Sequence, residues 1–315
     1  MIDKGLKEMK GIHSFRNPLL VQKEALGLEM ETEIMGVPVK LCFPKASADV
    51  LTMNSPIPKL LPPSGAEEWQ KGEEPIEWGH TFSSDGTSCV KSMAVYVDCT
   101  LENKDLYGDI LYKSVENWEK KLLDYLDLVC RRITRNNKGV YCGLTLFFDH
   151  KLVPSNFYCE IECTIYEKHH YTSLEQLKDA ISFASSDNVL LLEHEMLLAA
   201  FEAKQNNQNR QVVLDACAAL ELTIIRKITE LANAQGFDPE DILERQARML
   251  GKRFDKLKKM DPNCPVESIK DSVTVLRDKM MHGQIVYPTD EAVDQLLSTV
   301  EKLVDYYSPA SSLHI

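Results

Sequence analysis

The stretch NRQVVLDACAALELTIIRKITELANAQG, residues 209–236, reads as one long helix. Val213, Ala216, Leu220, Ile224, Ile228 and Leu231 recur at steps of three and four, which puts them on one face of a 3.6-residue period. Gly236 ends the run, as the residue best suited to the left-handed position just past a helix. The flanking text keeps the same period. Residues 238–262 carry Leu243, Ala247, Leu250, Phe254 and Leu257, and residues 266–280 carry Val266, Ile269, Val273, Leu276 and Met280. After a Pro288-Thr289 start, a last helix carries Val293, Leu296, Leu297, Val300, Leu303, Val304 and Tyr307. With LLLEHEMLLAAFEA (190–203) in front, the sequence predicts a bundle of about five helices over residues 189–315.

The other half is written differently. GVPVKLCF (36–43), CVKSMAVYVDCT (89–100), GVYCGLTLFF (139–148) and NFYCEIECTIY (156–166) are rich in Val, Tyr, Phe, Cys and Thr and are bounded by turn residues, as strands are. One helix interrupts them, with Ile110, Val115, Trp118, Leu122, Tyr125, Leu126 and Val129 at helical spacing. Between the first two strands, residues 54–79 contain Pro56, Pro58, Pro62, Pro63, Pro75 and three glycines, which oppose any long regular element. The reading is therefore α+β: an N-terminal strand-rich α+β domain over 1–170, a connecting helix over 171–188, and the all-α bundle over 189–315.

Bulk properties narrow the function. The net charge of −12 excludes a broad basic surface, so any nucleic acid must be met by a local patch. The first residues carry no leader-like apolar run, and no later stretch approaches the roughly 20 apolar residues that cross a bilayer, so a cytoplasmic protein without membrane association is expected. Nine scattered cysteines include no C-x-x-C pair, which argues against disulfide scaffolding and zinc fingers. Cys159 and Cys163 on a strand stand about 13 Å apart, too far to share a metal. His169 and His170 are adjacent and point to opposite faces of a strand. LEHEM (192–196) lacks the second histidine of a zinc-protease motif, and the chain has no Walker, Rossmann or G-x-S-x-G pattern. No cofactor and no metal is expected.

RDKMMHG (277–283) is the segment that carries chemistry. Its plain reading is a helix stop, with His282 in the last turn and Gly283 just beyond. Its other reading is a catalytic pair. Attack of a ribose 2′-hydroxyl on the neighbouring phosphate needs a proton removed, a proton delivered and extra negative charge stabilised. An imidazole serves the first two tasks, and a guanidinium fork matches phosphate oxygens for the third. At about 100° per residue, Arg277 and His282 lie about 140° apart and border a surface bearing Thr274, Asp278 and Met281, opposite the apolar stripe.

The order of elements, with ALEL placing Glu221 in mid-helix and RDKMMH closing a later one, resembles the HEPN superfamily, most closely its ApeA-like branch of prokaryotic defence proteins. The resemblance covers residues 190–315 and rests on the R-x4-H motif, with Asp278 matching the polar residue favoured after the arginine. It implies metal-independent RNA cleavage by a homodimer in antiviral defence or toxin-type growth arrest. Arg277 and His282 would be the catalytic pair, with Asp278 and Glu221 beside them.

Glu221 shares a second stripe with Leu214, Ala218 and Ile225, so a carboxylate interrupts an apolar face. A buried lone charge is expensive, and a cation such as Arg277 would resolve it; a surface Lys or Arg at the rim is the alternative. The run 245–259 supplies Arg245, Arg248, Lys252, Arg253, Lys256, Lys258 and Lys259 against one Asp, a patch suited to RNA phosphates or to a solvated helix face. The rival to the nuclease is a non-catalytic bundle that dimerises or binds a nucleic acid or protein, with the N-terminal domain sensing a ligand or regulatory protein.

Overall fold

The computed structural model describes residues 7–48, 57–71, 74–81, 86–131, 143–148, 151–153, 171–285 and 287–314, and they form an α+β protein. Two compact units divide the chain, the first drawn from Met1–Cys130 and Thr134–Asn188, the second from Val189–Leu313.

In the first unit the elements run β1 (Lys7–Val21), β2 (Glu29–Ile34), β3 (Val37–Cys42), β4 (Gln70–Lys71), β5 (Glu74–Pro75), β6 (Gly79–Thr81), β7 (Ser88–Cys99), α1 (Lys104–Cys130), β8 (Gly143–Phe148), β9 (Lys151–Val153) and α2 (Leu174–Ser185). Among the described residues, seven strands make one antiparallel sheet ordered β2-β3-β7-β1-β8-β9, with β6 also on β7. Met35 and Gly36, both at positive φ, turn β2 into β3 as a two-residue hairpin. The centre of the sheet is apolar on both faces because both are covered. His13 of β1, opposite Met93, faces α1, where its ring lies edge-on to Trp118. On the other face Tyr96 packs against Trp69 and donates its hydroxyl to the Ser64 carbonyl at 2.8 Å, so the proline-rich loop serves as a lid of the core.

One expectation is corrected here, two strands were missed, and one expected strand lies outside the described residues. Strand β1 was not legible, because KEMKGIHSFRNPLLV does not alternate regularly and its register shifts between Ser14 and Leu19; β2, whose EMETEI alternates between Gly27 and Gly36, was passed over. Helix α2 is not a connector. It belongs to the first unit, where Phe183 stacks on Tyr125 and Ser185 accepts the Trp118 indole N–H at 3.0 Å. The strand expected over 156–166, with Cys159, Cys163, His169 and His170 in and after it, lies outside the described residues.

The second unit contains α3 (Leu192–Gln205), α4 (Asn209–Gln235), α5 (Leu250–Met260), α6 (Val275–Met281) and α7 (Asp290–Tyr307). Helix α4 is its centre, packed against the other four. Val213, Ala216, Leu220, Ile224 and Ile228 are all buried, as are the seven stripe residues of α7. Burying each large aliphatic side chain contributes about 1.5–3 kcal/mol, which is why these two stripes hold the bundle. Gly236 ends α4 at φ 74°, in the left-handed region. Among the described residues no helix is long and apolar enough to cross a membrane.

Of two helices read as continuous, one is interrupted and the other is widened and starts later, at Lys270. Residues 238–262 divide into a wide π-type turn, Asp241–Gln246, and α5, because Ala247 leaves helical geometry and Met249 is extended. The Ala247 carbonyl freed by the break accepts the Arg253 Nε–H at 3.1 Å, which makes the interruption stable. A second wide turn, Lys270–Thr274, precedes α6, with the Thr274 hydroxyl and amide both donating to the Ile269 carbonyl at 3.0 Å.

Candidate functional site

The break before α5 and the wide turn before α6 border one cavity of about 610 Å³. Its walls are the start of α5, the wide turn before α6, the first turn of α6 and Glu221 of α4. The placement follows from local structure. The Asn209 side-chain amide donates to the Pro288 carbonyl at 3.0 Å and to Asp290 at 2.6 Å, tying the chain beyond α6 to the start of α4. Helix α6 thereby runs back along α4 and sets Arg277 and Asp278 close to Cys217 and Glu221. Burial pushes the Cys217 thiol up to about 12; Arg277 opposes that rise, and Glu221 and Asp278 add to it. The thiol is neutral at ordinary pH and is not a nucleophile.

The cavity gathers part of the expected site. Arg277, Asp278 and Glu221 line it, as do Arg248 and Lys252 from the basic run. His282 does not. It caps α6, exposed, with its backbone N–H donating to the Asp278 carbonyl at 2.9 Å, while Gly283 at φ 70° completes the helix stop. The two readings of RDKMMHG are thus compatible: the residues that finish the helix also leave the imidazole free on its end, beyond the cavity.

Glu221 corrects a sequence expectation. Its partner is Arg253, not Arg277. The Arg253 side chain is only 12% exposed and divides its donors between Glu221 and Ala247, so it clamps α5 to α4 and is not an outward RNA contact. The rest of the run also divides. Arg245 pairs with Asp241 at 3.1 Å, Lys256 donates to Gln246 at 3.1 Å, and Lys258 donates to the Glu267 carbonyl at 2.7 Å. Lys259 is exposed and lies off the cavity.

What remains on the cavity is a set of uncommitted cations. Among the described residues Arg248, Lys252, Lys270 and Arg277 make no ion pair. Arg277 is half-buried. With Glu221 already paired, the carboxylates left are Asp255 and Asp278, so four cationic side chains face two anionic ones within an acidic chain. Helix α5 starts at the same place, with no side-chain cap from Met249 and no acid in its first turn, so its first amide groups add partial positive charge.

Lys270 is the functional candidate that the sequence reading missed. It stands seven residues before Arg277, with Thr274 between at i+4, and that spacing was the available signal. Met249, Leu250, Phe254 and Ile269 add apolar wall.

The arrangement defines a class: a helical bundle with a half-buried guanidinium in a cationic cavity and an imidazole exposed one turn away. No family model, curated protein or solved structure matches this chain.

Proposed function

We propose that this chain is a metal-independent endoribonuclease of HEPN type, acting in the cytoplasm as a homodimer. The observation that supports it best is Arg277: a half-buried arginine with no ion pair among the described residues, on a cavity with Arg248 and Lys252, five residues ahead of an exposed His282. A guanidinium left unpaired while partly dehydrated is costly unless an anion arrives, and a phosphodiester has the matching geometry.

In this reading Arg277 binds the scissile phosphate and stabilises the charge that gathers on its oxygens. One imidazole takes the 2′-hydroxyl proton as the 2′-oxygen attacks phosphorus. The bond from phosphorus to the 5′-oxygen breaks, and a second imidazole donates a proton to that leaving oxygen. The products are a 2′,3′-cyclic phosphate and a 5′-hydroxyl. One chain supplies a single motif histidine, so the second comes from a second copy. By the resemblance, the setting is antiviral defence or toxin-type growth arrest, with the first unit answering a regulatory ligand or protein.

The position of His282 outside the cavity favours a second reading, in which the bundle binds RNA without cutting it. Incubation of the full chain with mixed RNA in EDTA separates the two. Cleavage that is lost in both Arg277→Ala and His282→Ala supports the nuclease; retention of RNA with no cleavage by the parent chain supports binding alone.

A further inference from the structure

We propose that the cavity is a mononucleotide subsite, which grips one nucleoside monophosphate unit of the RNA beside the scissile linkage. The inference deepens the ribonuclease reading and rests on it for the identity of the polymer, but binding of the single nucleotide is measured without cleavage.

Size, charge and wall chemistry carry it. A volume of about 610 Å³ is within the range of small-molecule sites, roughly 300–1,000 Å³. Arg248, Lys252, Lys270 and Arg277 come from both sides of the cavity, α5 and its approach on one and the α6 region on the other, and among the described residues none of them is paired with a carboxylate. Two arginine forks and two ammonium groups suit a phosphate that carries up to two charges. The exposed apolar side chain, Met249, has a different use. Met249 is 63% exposed although it sits among cations, and its polarizable thioether is suited to contact with a flat base. Asp278 and Asp255 are acceptors for sugar hydroxyl or base amino groups, which inorganic phosphate would leave unused. A ligand with a phosphate at one end and a polar ring at the other satisfies all of these groups; a free phosphate satisfies only the first.

The test uses the full chain carrying His282→Ala, titrated in EDTA with AMP, inorganic phosphate and adenosine and followed by calorimetry. One AMP per chain should bind, at least tenfold tighter than phosphate or adenosine. The double variant R248E/K252E should weaken AMP more than tenfold. Lys259→Glu, on the same helix but off the cavity, should change it less than twofold, with unchanged thermal unfolding as the control for folding. Equal affinity for AMP and phosphate, no saturable AMP binding, or an equal loss in Lys259→Glu would overturn the subsite. Cleavage of RNA by the parent chain with no AMP binding would end this inference and keep the nuclease. AMP binding at the cavity with no cleavage would do the reverse.

Discussion

Two arginines of the helical unit, Arg226 and Arg277, occupy opposite situations. Arg226 is fully committed: it donates to Glu193 at 2.7 Å, pairs with Glu230, and reaches the Tyr307 carbonyl at 2.8 Å and the Ser308 hydroxyl. Ser308 donates to Glu193 at 2.9 Å, and buried His194 donates its Nε2–H to the Ser308 carbonyl at 2.7 Å. This network ties α3, α4 and the end of α7 together. Arg277 has no ion pair among the described residues and faces a cavity. The same side chain is thus a structural latch where carboxylates surround it and a binding group where they are withheld.

The largest break of this comparison is in activity. His282→Ala and Arg277→Ala should each lower RNA cleavage by about a thousandfold while leaving thermal unfolding nearly unchanged, since neither makes a structural ion pair. Arg226→Ala should do the opposite. It strands Glu193, which is buried, and should cost about 3 kcal/mol in denaturant unfolding of the helical unit, with RNA retention kept under native conditions.

The latch also carries a pH signature. Burial holds the His194 imidazole below its ordinary value of 6.5, with the Ser308 carbonyl opposing that fall. The unfolded chain therefore binds more protons than the folded one as pH falls below about 6.5, so stability present above that value is lost on acidification. The loss is at most about 1.4 kcal/mol per pH unit. Denaturant midpoints at pH 7.5 and 5.5 should diverge for the parent chain and converge in His194→Gln. Glu193 contributes at lower pH: burial raises its carboxyl, the Arg226 and Ser308 hydrogen bonds outweigh that and depress it, and its stabilisation disappears as pH falls below about 4.5.

The smallest effect sharpens the comparison at the cavity wall. Glu221→Gln weakens the clamp from Arg253 and should cost about 1 kcal/mol of stability, with cleavage reduced less than tenfold, because Arg277 does not depend on it. A loss equal to that of Arg277→Ala would show that Glu221 acts on Arg277 directly.

Much of the fold was legible where one face repeats. The stripe of α7 and all of the α4 stripe but the half-buried Leu231 are buried as their spacing required, and Gly236 and Gly283 stop helices at positive φ. The first strand was not legible, because Lys7–Val21 draws its pairing from β7, nearly eighty residues later, and does not alternate regularly; β2, which alternates and pairs with the adjacent β3, carried a signal that was passed over. The two wide turns escaped notice for a related reason: a step of three or four survives a one-residue insertion, so periodicity does not mark where a helix loosens. At the site, Arg277, Asp278, Arg248 and Lys252 were readable as polar residues off an apolar stripe, whereas the partition of the basic run was not.

By itself, the sequence determined which residues turn inward, where helices stop, and that a guanidinium and an imidazole lie near the end of one helix. These depend on contacts within a few residues along the chain. Only the tertiary structure decided that Arg253 neutralises Glu221, that Arg226 is spent on a latch, and that Lys270 joins Arg277 on a cavity. Such choices rest on which of many similar cations reaches a given carboxylate across a helix interface, and charge alone does not distinguish them.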